Sequence, residues 1–278
     1  MSEFPPFLFA AIRQLAGGLI LTIGIMVIKK KKLPDVPELL KQAAFGFFMI
    51  TCGNGLVSWA EVFVPSGLAA IICSAMPMIV IFINLSLNRS ESPNGLIFLG
   101  SLMGLSGIVL IFSEYLADFT NVKYTIGIVL IFVATISWAG GSVASKRLNQ
   151  HSDPFFNAGL QMFFGGLFCI PFSLVFDDLS AVVWHDSAVY SLIYLILIGS
   201  VAAFAMYSYV LTKLPVTIAS LYSYINPLVA VVLGWLVLDE KLNLKIGLAF
   251  LITITGIYLV NLGYQRQREK MYNLAQKV

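Results

Sequence analysis

Apolar runs of about 20 residues recur along the chain, and short polar turns separate them. Runs of this length can cross a hydrocarbon core of roughly 30 Å as α-helices. Only 11% of the 278 residues are charged, against roughly 25% in soluble domains. We therefore predict an all-α polytopic membrane protein. Its nine transmembrane helices lie near 5–28, 37–59, 65–87, 94–113, 124–146, 154–176, 187–210, 214–238 and 243–263.

Basic residues indicate how the chain crosses the membrane. Four consecutive lysines, Lys29 to Lys32, follow the first run, and the positive-inside rule favours the cytoplasm for such a cluster. Alternation of nine spans then places thirteen of the 17 Lys and Arg residues on the cytoplasmic side, three outside, and Arg13 within a span. We expect the N-terminus outside and the C-terminus in the cytoplasm. The net charge of +3 reflects this orientation, and we expect no nucleic-acid partner.

The two halves of the chain repeat one another at an offset of 149 or 150 residues. The matched residues are Pro65 with Pro215, Pro77 with Pro227, Ser58 with Ser208, and Gly107 with Gly256. Several matches in one register indicate a duplicated unit. We divide the chain into a first repeat of four helices, 1–118, and a second repeat of five helices with a cytoplasmic tail, 119–278.

The helix at 124–147 has no counterpart in the first repeat, because its match would precede Met1. We therefore expect one further apolar span upstream. A full repeat would hold five spans, and an odd number inverts the second copy in the membrane. Inverted repeats are typical of transporters whose substrate site lies near the membrane midplane between the copies.

Longer motifs carry a family resemblance. The second half contains SWAGGSVASKRL (137–148) and GSVAAFAMYSYVLTKLPVTIASLYSYINPLVAVVLGWLVLDEKL (199–242). The first half contains PPFLFAAIRQLAGGL (5–19), VSWAEVFVPSGLAAIICSAMPMIV (57–80) and GLSGIVLIF (104–112). Both halves resemble the EamA-type domain of the drug/metabolite transporter superfamily. The resemblance implies a ten-helix inner-membrane carrier, usually an exporter, and the present sequence shows nine of those helices.

Polar and aromatic side chains in the middle of spans are candidates for substrate binding, since unpartnered polar groups are costly inside a bilayer. We expect substrate contacts from Asn54, Ser58, Trp59, Trp138, Tyr207, Tyr224 and Asn226. The alternative is that these groups only hold helices together through interhelical hydrogen bonds.

Two repeat-related prolines indicate helix breaks. Pro77 and Pro227 cannot donate a hydrogen bond to the carbonyls of Cys73 and Ser223. A carbonyl released inside a membrane needs a partner or a cavity, so the pair points to a central site. A plain kink packed against a neighbour is the alternative. For Arg13, we favour a structural anchor or a helix–helix hydrogen bond over substrate binding.

The sequence favours a carrier that exports a small metabolite, amino acid or drug-like solute by alternating access. The alternative is a truncated, inactive relic or a membrane interaction protein. We expect no enzyme, no cofactor and no metal, because the two histidines lie in turns and the three cysteines lack metal-ligand spacing. We expect a small-molecule substrate and the lipid bilayer as partners, and a monomer rather than a homodimer.

Overall fold

A computed structural model describes residues 4–87, 94–149, 152–179, 186–238 and 243–275. Within these ranges the chain is helical and contains no strand. Eight helices are long and apolar enough to cross a membrane, and there are nine if Gly95–Ile111 is joined to the bent turn Ser113–Thr120. The predicted polytopic all-α fold is confirmed.

We number the helices in chain order. They are α1 (Pro6–Ile28), α2 (Val36–Ala60), α3 (Ser66–Ser86), α4 (Gly95–Ile111), α5 (Thr125–Leu148), α6 (Pro154–Phe176), α7 (186–213), α8 (216–238) and α9 (Leu244–Ala275). Most ends lie within about three residues of the predicted spans. The last helix continues well past its predicted end at 263, and its extension carries charged residues.

Polar caps fix where several helices begin. The Asp153 carboxylate accepts from the amide of Phe155 at 3.0 Å, immediately before α6. Asn94 accepts from the amide of Ile97 at 3.0 Å, and Asn243 accepts from that of Ile246 at 2.9 Å. Such caps satisfy amides that have no partner in the first helical turn. Because the two asparagines are 149 positions apart, the duplication includes the cap as well as the helix.

Two repeat-related helices contain a wide-turn π-helical segment. In α2 it is Gly46–Gly55, between the α-helical pieces Val36–Phe45 and Leu56–Ala60. In α7 it is Leu195–Ala202, between Asp186–Tyr194 and Ala203–Lys213. The two segments begin 149 residues apart. Segments of π-helix are rare and occur frequently at functional sites.

The proline-containing helices are interrupted as well. α3 consists of Ser66–Cys73 and Met76–Ser86, and Pro77 lies in the first turn of the second piece. α8 consists of Val216–Ser220 and Tyr222–Leu238, and Pro227 lies inside the second piece. Both interruptions precede their proline by a few residues.

The chain forms two compact units. One consists of Met1–Val64 with Ile126–Leu214, and the other of Pro65–Thr125 with Pro215–Val278. We call them the five-helix unit (α1, α2, α5, α6 and α7) and the four-helix unit (α3, α4, α8 and α9). Each compact unit therefore takes helices from both sequence repeats. The division into repeats at 118 and 119 stays a prediction about the duplication.

Helices α1 and α6 pack closely and antiparallel in the five-helix unit. A Cβ atom added to Gly166 would lie 2.7 Å from the amide nitrogen of Leu15, so only glycine fits this contact. At one end of the pair, the Asp177 carboxylate accepts from the Leu8 amide at 2.7 Å. At the other end, Asp153 pairs with Lys29 at 2.6 Å. Each helix thus has its N-terminal end tied to the partner's C-terminal end.

Helices α4 and α9 form the corresponding pair in the four-helix unit. A Cβ atom at Gly256 would lie 2.6 Å from the carbonyl oxygen of Gly100. The Asn94 amide group donates to the carbonyl of Gly263 at 2.8 Å, which fixes one end of the pair. A buried cluster packs against this pair and includes Ile81, Ile97, Ile108, Leu221, Tyr224 and Val260.

Candidate functional site

An aromatic group in the five-helix unit contains two of the predicted site residues. The ring of Trp138 on α5 lies 5.7 Å from that of Tyr207 and 5.9 Å from that of Phe204, both on α7. The Tyr207 hydroxyl lies 2.7 Å from the Ser142 hydroxyl. A Cβ atom on Gly53 would lie 2.7 Å from Cε3 of Trp138, so the indole rests on the π segment of α2.

Two hydroxyl groups anchor the π segment of α2, one from the segment itself and one from the neighbouring helix α5. Thr51 donates to the carbonyl of Gly165 at 2.8 Å, and Ser137 donates to that of Phe48 at 2.7 Å. Asn54 lies in the same π segment and Ser58 lies one turn further along α2, and both side chains are half-buried. Neither side chain makes a hydrogen bond to another residue that the structure describes. Their polar atoms are therefore available to a ligand or to water.

Trp59 lies in a second aromatic cluster. Its ring is 4.6 Å from that of Phe176 and 5.6 Å from that of Phe7, at the end of the unit where α1 begins and α6 ends. Trp138 belongs to the separate cluster described above. The structure thus gives Trp59 a packing role among aromatic rings.

Tyr224 and Asn226 belong to the four-helix unit. Tyr224 is fully buried, and its hydroxyl donates to the carbonyl of Ser101 at 2.8 Å. Its ring packs against Gly104. Asn226, two residues further on, is exposed. The contacts of Tyr224 favour the alternative interpretation, a side chain that holds two helices together.

The carbonyl that Pro227 releases has a partner in the four-helix unit. The Ser74 hydroxyl lies 3.1 Å from the Ser223 carbonyl and 2.7 Å from that of Ala70, so one proton serves two acceptors. Ser74 and Ser223 are themselves 149 residues apart. Equivalent positions of the two repeats therefore meet at the helix interruptions.

Sequence reasoning missed a chain of buried amides in the five-helix unit. Gln161 donates to Gln42 at 2.7 Å, Gln42 donates to Asn149 at 2.9 Å, and Asn149 donates to Ser145 at 3.0 Å. All four residues are buried. A glutamine near the end of an apolar run gives no signal of a partner 119 residues away. No sequence pattern could therefore have identified this chain of hydrogen bonds.

A polar cavity of about 310 Å³ lies beside this amide chain. Its polar lining residues are Ser145, Lys146, Asn149, Asn157, Ser208 and Thr212. Pro154, the residue after Asp153, also lines it. Partial burial of Asp153 opposes ionisation, but hydrogen bonds from Lys29, Lys31 and the Phe156 amide prevail and hold its pKa below the ordinary value.

Several polar atoms inside the five-helix unit have no hydrogen-bond partner among the described residues. They include Nε of Arg13, Oε1 of Gln14, Oγ of Ser173 and Oγ of Ser200. Arg13 was expected to anchor helices by hydrogen bonding, yet no such bond forms within the described part of the chain. Unpaired polar groups inside a bilayer are unfavourable.

Multi-pass helices with paired interruptions and interior polar groups are typical of a polytopic membrane transport protein. A solved crystal structure shares this fold, with a TM-score of 0.78 over 93% of this chain and 88% of that chain at 18% identity.

The model of the EamA-like transporter family matches residues 1–113 and 125–262, and the chain belongs to this family. The uncharacterized inner membrane transporter YedA of Escherichia coli (strain K12) is 29% identical and covers 95% of this chain and 84% of its own. The uncharacterized transporter YoaV of Bacillus subtilis (strain 168) is 28% identical over 96% of this chain and 90% of its own. The protein PecM of Dickeya dadantii (strain 3937) is 29% identical over 98% and 88%.

The family and its relatives confirm the resemblance seen in the sequence motifs. The chain is a membrane transporter, and a multi-pass protein of the inner membrane fits both the relatives' names and the apolar helices. These names also agree with a carrier rather than an enzyme.

Proposed function

We propose that this protein is a carrier that exports a small metabolite, amino acid or drug-like solute by alternating access. The observation that supports this most strongly is the pairing of helix interruptions across the duplication. The π segments of α2 and α7 begin 149 residues apart, and α3 and α8 are both broken shortly before a proline. Regular helices need no such breaks, whereas carriers place broken helices where backbone and side chains meet the solute.

The group around Trp138 is the part of the substrate site that the geometry supports best. Trp138, Tyr207, Asn54 and Ser58 offer two aromatic faces and two short polar side chains on α2, α5 and α7. This mixture suits a small amphipathic solute, since aromatic faces stack on apolar parts and amides or hydroxyls orient polar ones. Trp59, Tyr224 and Asn226 stay predictions, and the packing of Trp59 and Tyr224 favours a structural role.

Transport by purified protein tests the carrier proposal. The chain is reconstituted in liposomes loaded with a panel of labelled amino acids and drug-like amines, and efflux is compared with empty liposomes. We expect efflux of at least one solute class. If no solute moves while the protein stays folded, the inactive-relic alternative is favoured.

Two substitutions test the site. Trp138→Ala and Asn54→Ala are expected to lower transport at least about tenfold at normal abundance, because each removes a contact worth about 1.4 kcal/mol or more. Phe132→Ala is the control, since Phe132 is an exposed aromatic residue on the same helix as Trp138. Lost abundance with normal transport per molecule would instead assign these residues to helix packing.

The proposed orientation places Lys30 in the cytoplasm and Asp178 outside. Single cysteines introduced at these positions, in a background lacking Cys52, Cys73 and Cys169, report the side by reaction with an impermeant thiol reagent on intact cells. We expect Asp178→Cys to react and Lys30→Cys to be protected. Equal reactivity of the two positions contradicts the orientation.

A further inference from the structure

Arg13 carries a positive charge into the membrane-spanning part of the five-helix unit. It is the eighth residue of α1, which begins at Pro6. With a rise of about 1.5 Å per residue, it lies roughly 10 Å from the start of the helix. It is half-buried, and its Nε atom is buried without a partner among the described residues. Charges at such depth are rare and usually mark a functional pathway.

No carboxylate of the described chain neutralises this charge. The ion pairs within the described residues join Lys29, Lys31 and Lys41 to Asp153 or Glu38, and none includes Arg13. Cys169, a buried residue of α6, lies close to Arg13. An arginine without a counter-ion is unfavourable inside a membrane protein unless a partner from outside the chain binds it.

Several small side chains lie around this part of α1, together with the larger Met162. Ala10 and Ala11 contact Cys169 in one buried cluster. Gly17 lies one turn beyond Arg13, and a Cβ atom there would be 3.4 Å from Cβ of Ser200. The Ser200 hydroxyl and the Gln14 side-chain oxygen are also buried without partners among the described residues. The surroundings of Arg13 thus include further hydrogen-bonding atoms that have no partner in the part of the chain that the structure describes.

We propose that Arg13 binds the anionic group of the transported solute, and that the solute is a small carboxylate or a zwitterion bearing one. The inference rests on the carrier function proposed above. A guanidinium presents parallel N–H donors that match a carboxylate in a bidentate arrangement, and such charge-assisted bonds are the strong ones. A phospholipid headgroup offers the same anionic chemistry, so the test must separate solute from lipid.

The test compares matched ligands and matched variants. Wild type, Arg13→Gln, Arg13→Lys and Arg147→Gln are reconstituted in nanodiscs of phosphatidylcholine. Arg147 is the control because it is exposed at the end of α5. Binding of free amino acids is compared with binding of the corresponding amino amides by calorimetry, which isolates the carboxylate.

For wild type and Arg147→Gln, we expect at least one amino acid to bind about tenfold or more tightly than its amide, the size of a lost charge-assisted bond. Arg13→Gln should bind the two alike, and Arg13→Lys should fall between. Equal carboxylate affinity of wild type and Arg13→Gln overturns the assignment of Arg13. If Arg13→Gln does not fold, wild type still decides, since equal binding of acids and amides overturns the proposal.

Lipid is tested separately. Phosphatidylglycerol is added to the nanodiscs without solute, and thermal stability is measured. If this anionic lipid stabilises wild type but not Arg13→Gln, and amino acids do not, the partner is a headgroup and the solute assignment is wrong. Failure of the carrier function is distinguishable, because it would abolish efflux of neutral and anionic solutes alike while these binding experiments still report on Arg13.

Discussion

The five-helix and four-helix units each contain one repeat-related helix pair joined through glycine, yet their interiors differ. In the four-helix unit the pair is α4 and α9, and the interior holds mainly aliphatic side chains, together with hydroxyl groups that bond to backbone carbonyls. In the five-helix unit the pair is α1 and α6, and the interior holds a chain of amides and a half-buried arginine, whereas unpaired buried hydroxyls occur in both units. Duplicated helices thus kept their packing while their polar content diverged. We infer that the five-helix unit specialised in recognition and the four-helix unit in support.

The largest effect is expected from substitutions at the close glycine contacts, which both units share. Gly18→Leu and Gly256→Leu should each lower the free energy of unfolding by about 3 kcal/mol or prevent folding, because the added side chain would overlap with backbone atoms of the partner helix. A Cβ atom at Gly18 would already lie 2.8 Å from the carbonyl of Gly159. Thermal melting in detergent and membrane abundance measure the effect.

The controls for these variants are Gly24→Leu on α1 and Gly247→Leu on α9, where nothing lies within 4 Å of an added Cβ atom. Both should behave like wild type. A large effect in one unit and none in the other would show that close glycine contact does not support both pairs.

Two tyrosine substitutions test the proposed difference between the units, which is recognition in one and structural support in the other. Tyr224→Phe removes the hydrogen bond to Ser101 and should lower the free energy of unfolding by about 1 kcal/mol, with transport per molecule unchanged. Tyr207→Phe removes the bond to Ser142 beside Trp138 and should lower transport more than stability. Melting temperature and efflux rate, measured on the same preparations, separate the two effects. The opposite pattern would reverse the roles assigned to the units.

The ion pair at the start of α6 makes the stability of the five-helix unit depend on pH. The pKa of Asp153 is held below its ordinary value by Lys29 and Lys31, despite partial burial. Its stabilisation is therefore fully present above the ordinary pKa of about 4 and is lost as the pH falls through the lower folded value. Asp153→Asn should cost about 1 kcal/mol, constant above about pH 5 and shrinking below about pH 4. Melting curves across this range, with Asp35→Asn as an exposed control whose side chain makes no cap bond, measure the difference.

The smallest effect is expected at the helix interruption of the four-helix unit. Ser74→Ala removes the hydroxyl near the Ser223 carbonyl and should lower the free energy of unfolding by about 0.5–1 kcal/mol. Ser86→Ala, at the exposed end of the same helix, is the control. An efflux defect at unchanged stability would show that the interruption of α3 takes part in recognition, and the contrast between the units would then fail.

The amino-acid sequence by itself determined the spans and the duplication. Span length follows from the bilayer's thickness, and apolar composition is a local property, so runs such as 154–176 predict their helix directly. The offset of 149 or 150 residues is likewise visible in paired prolines and glycines. Even the cap positions Asn94 and Asn243 obey it, since capping depends on residues three positions apart.

Only the tertiary structure decided which helices belong together and which polar groups find partners. Each compact unit takes helices from both repeats, a choice that depends on long-range packing. Tyr224 and Trp138 look alike in the sequence, as aromatic residues in the middle of a span. The structure separates them, because the hydroxyl of one reaches a carbonyl 123 residues away, whereas the other rests on a π segment with no local sequence signature. Arg13 differs from both, since the missing counter-ion is evident only once its neighbours are in place.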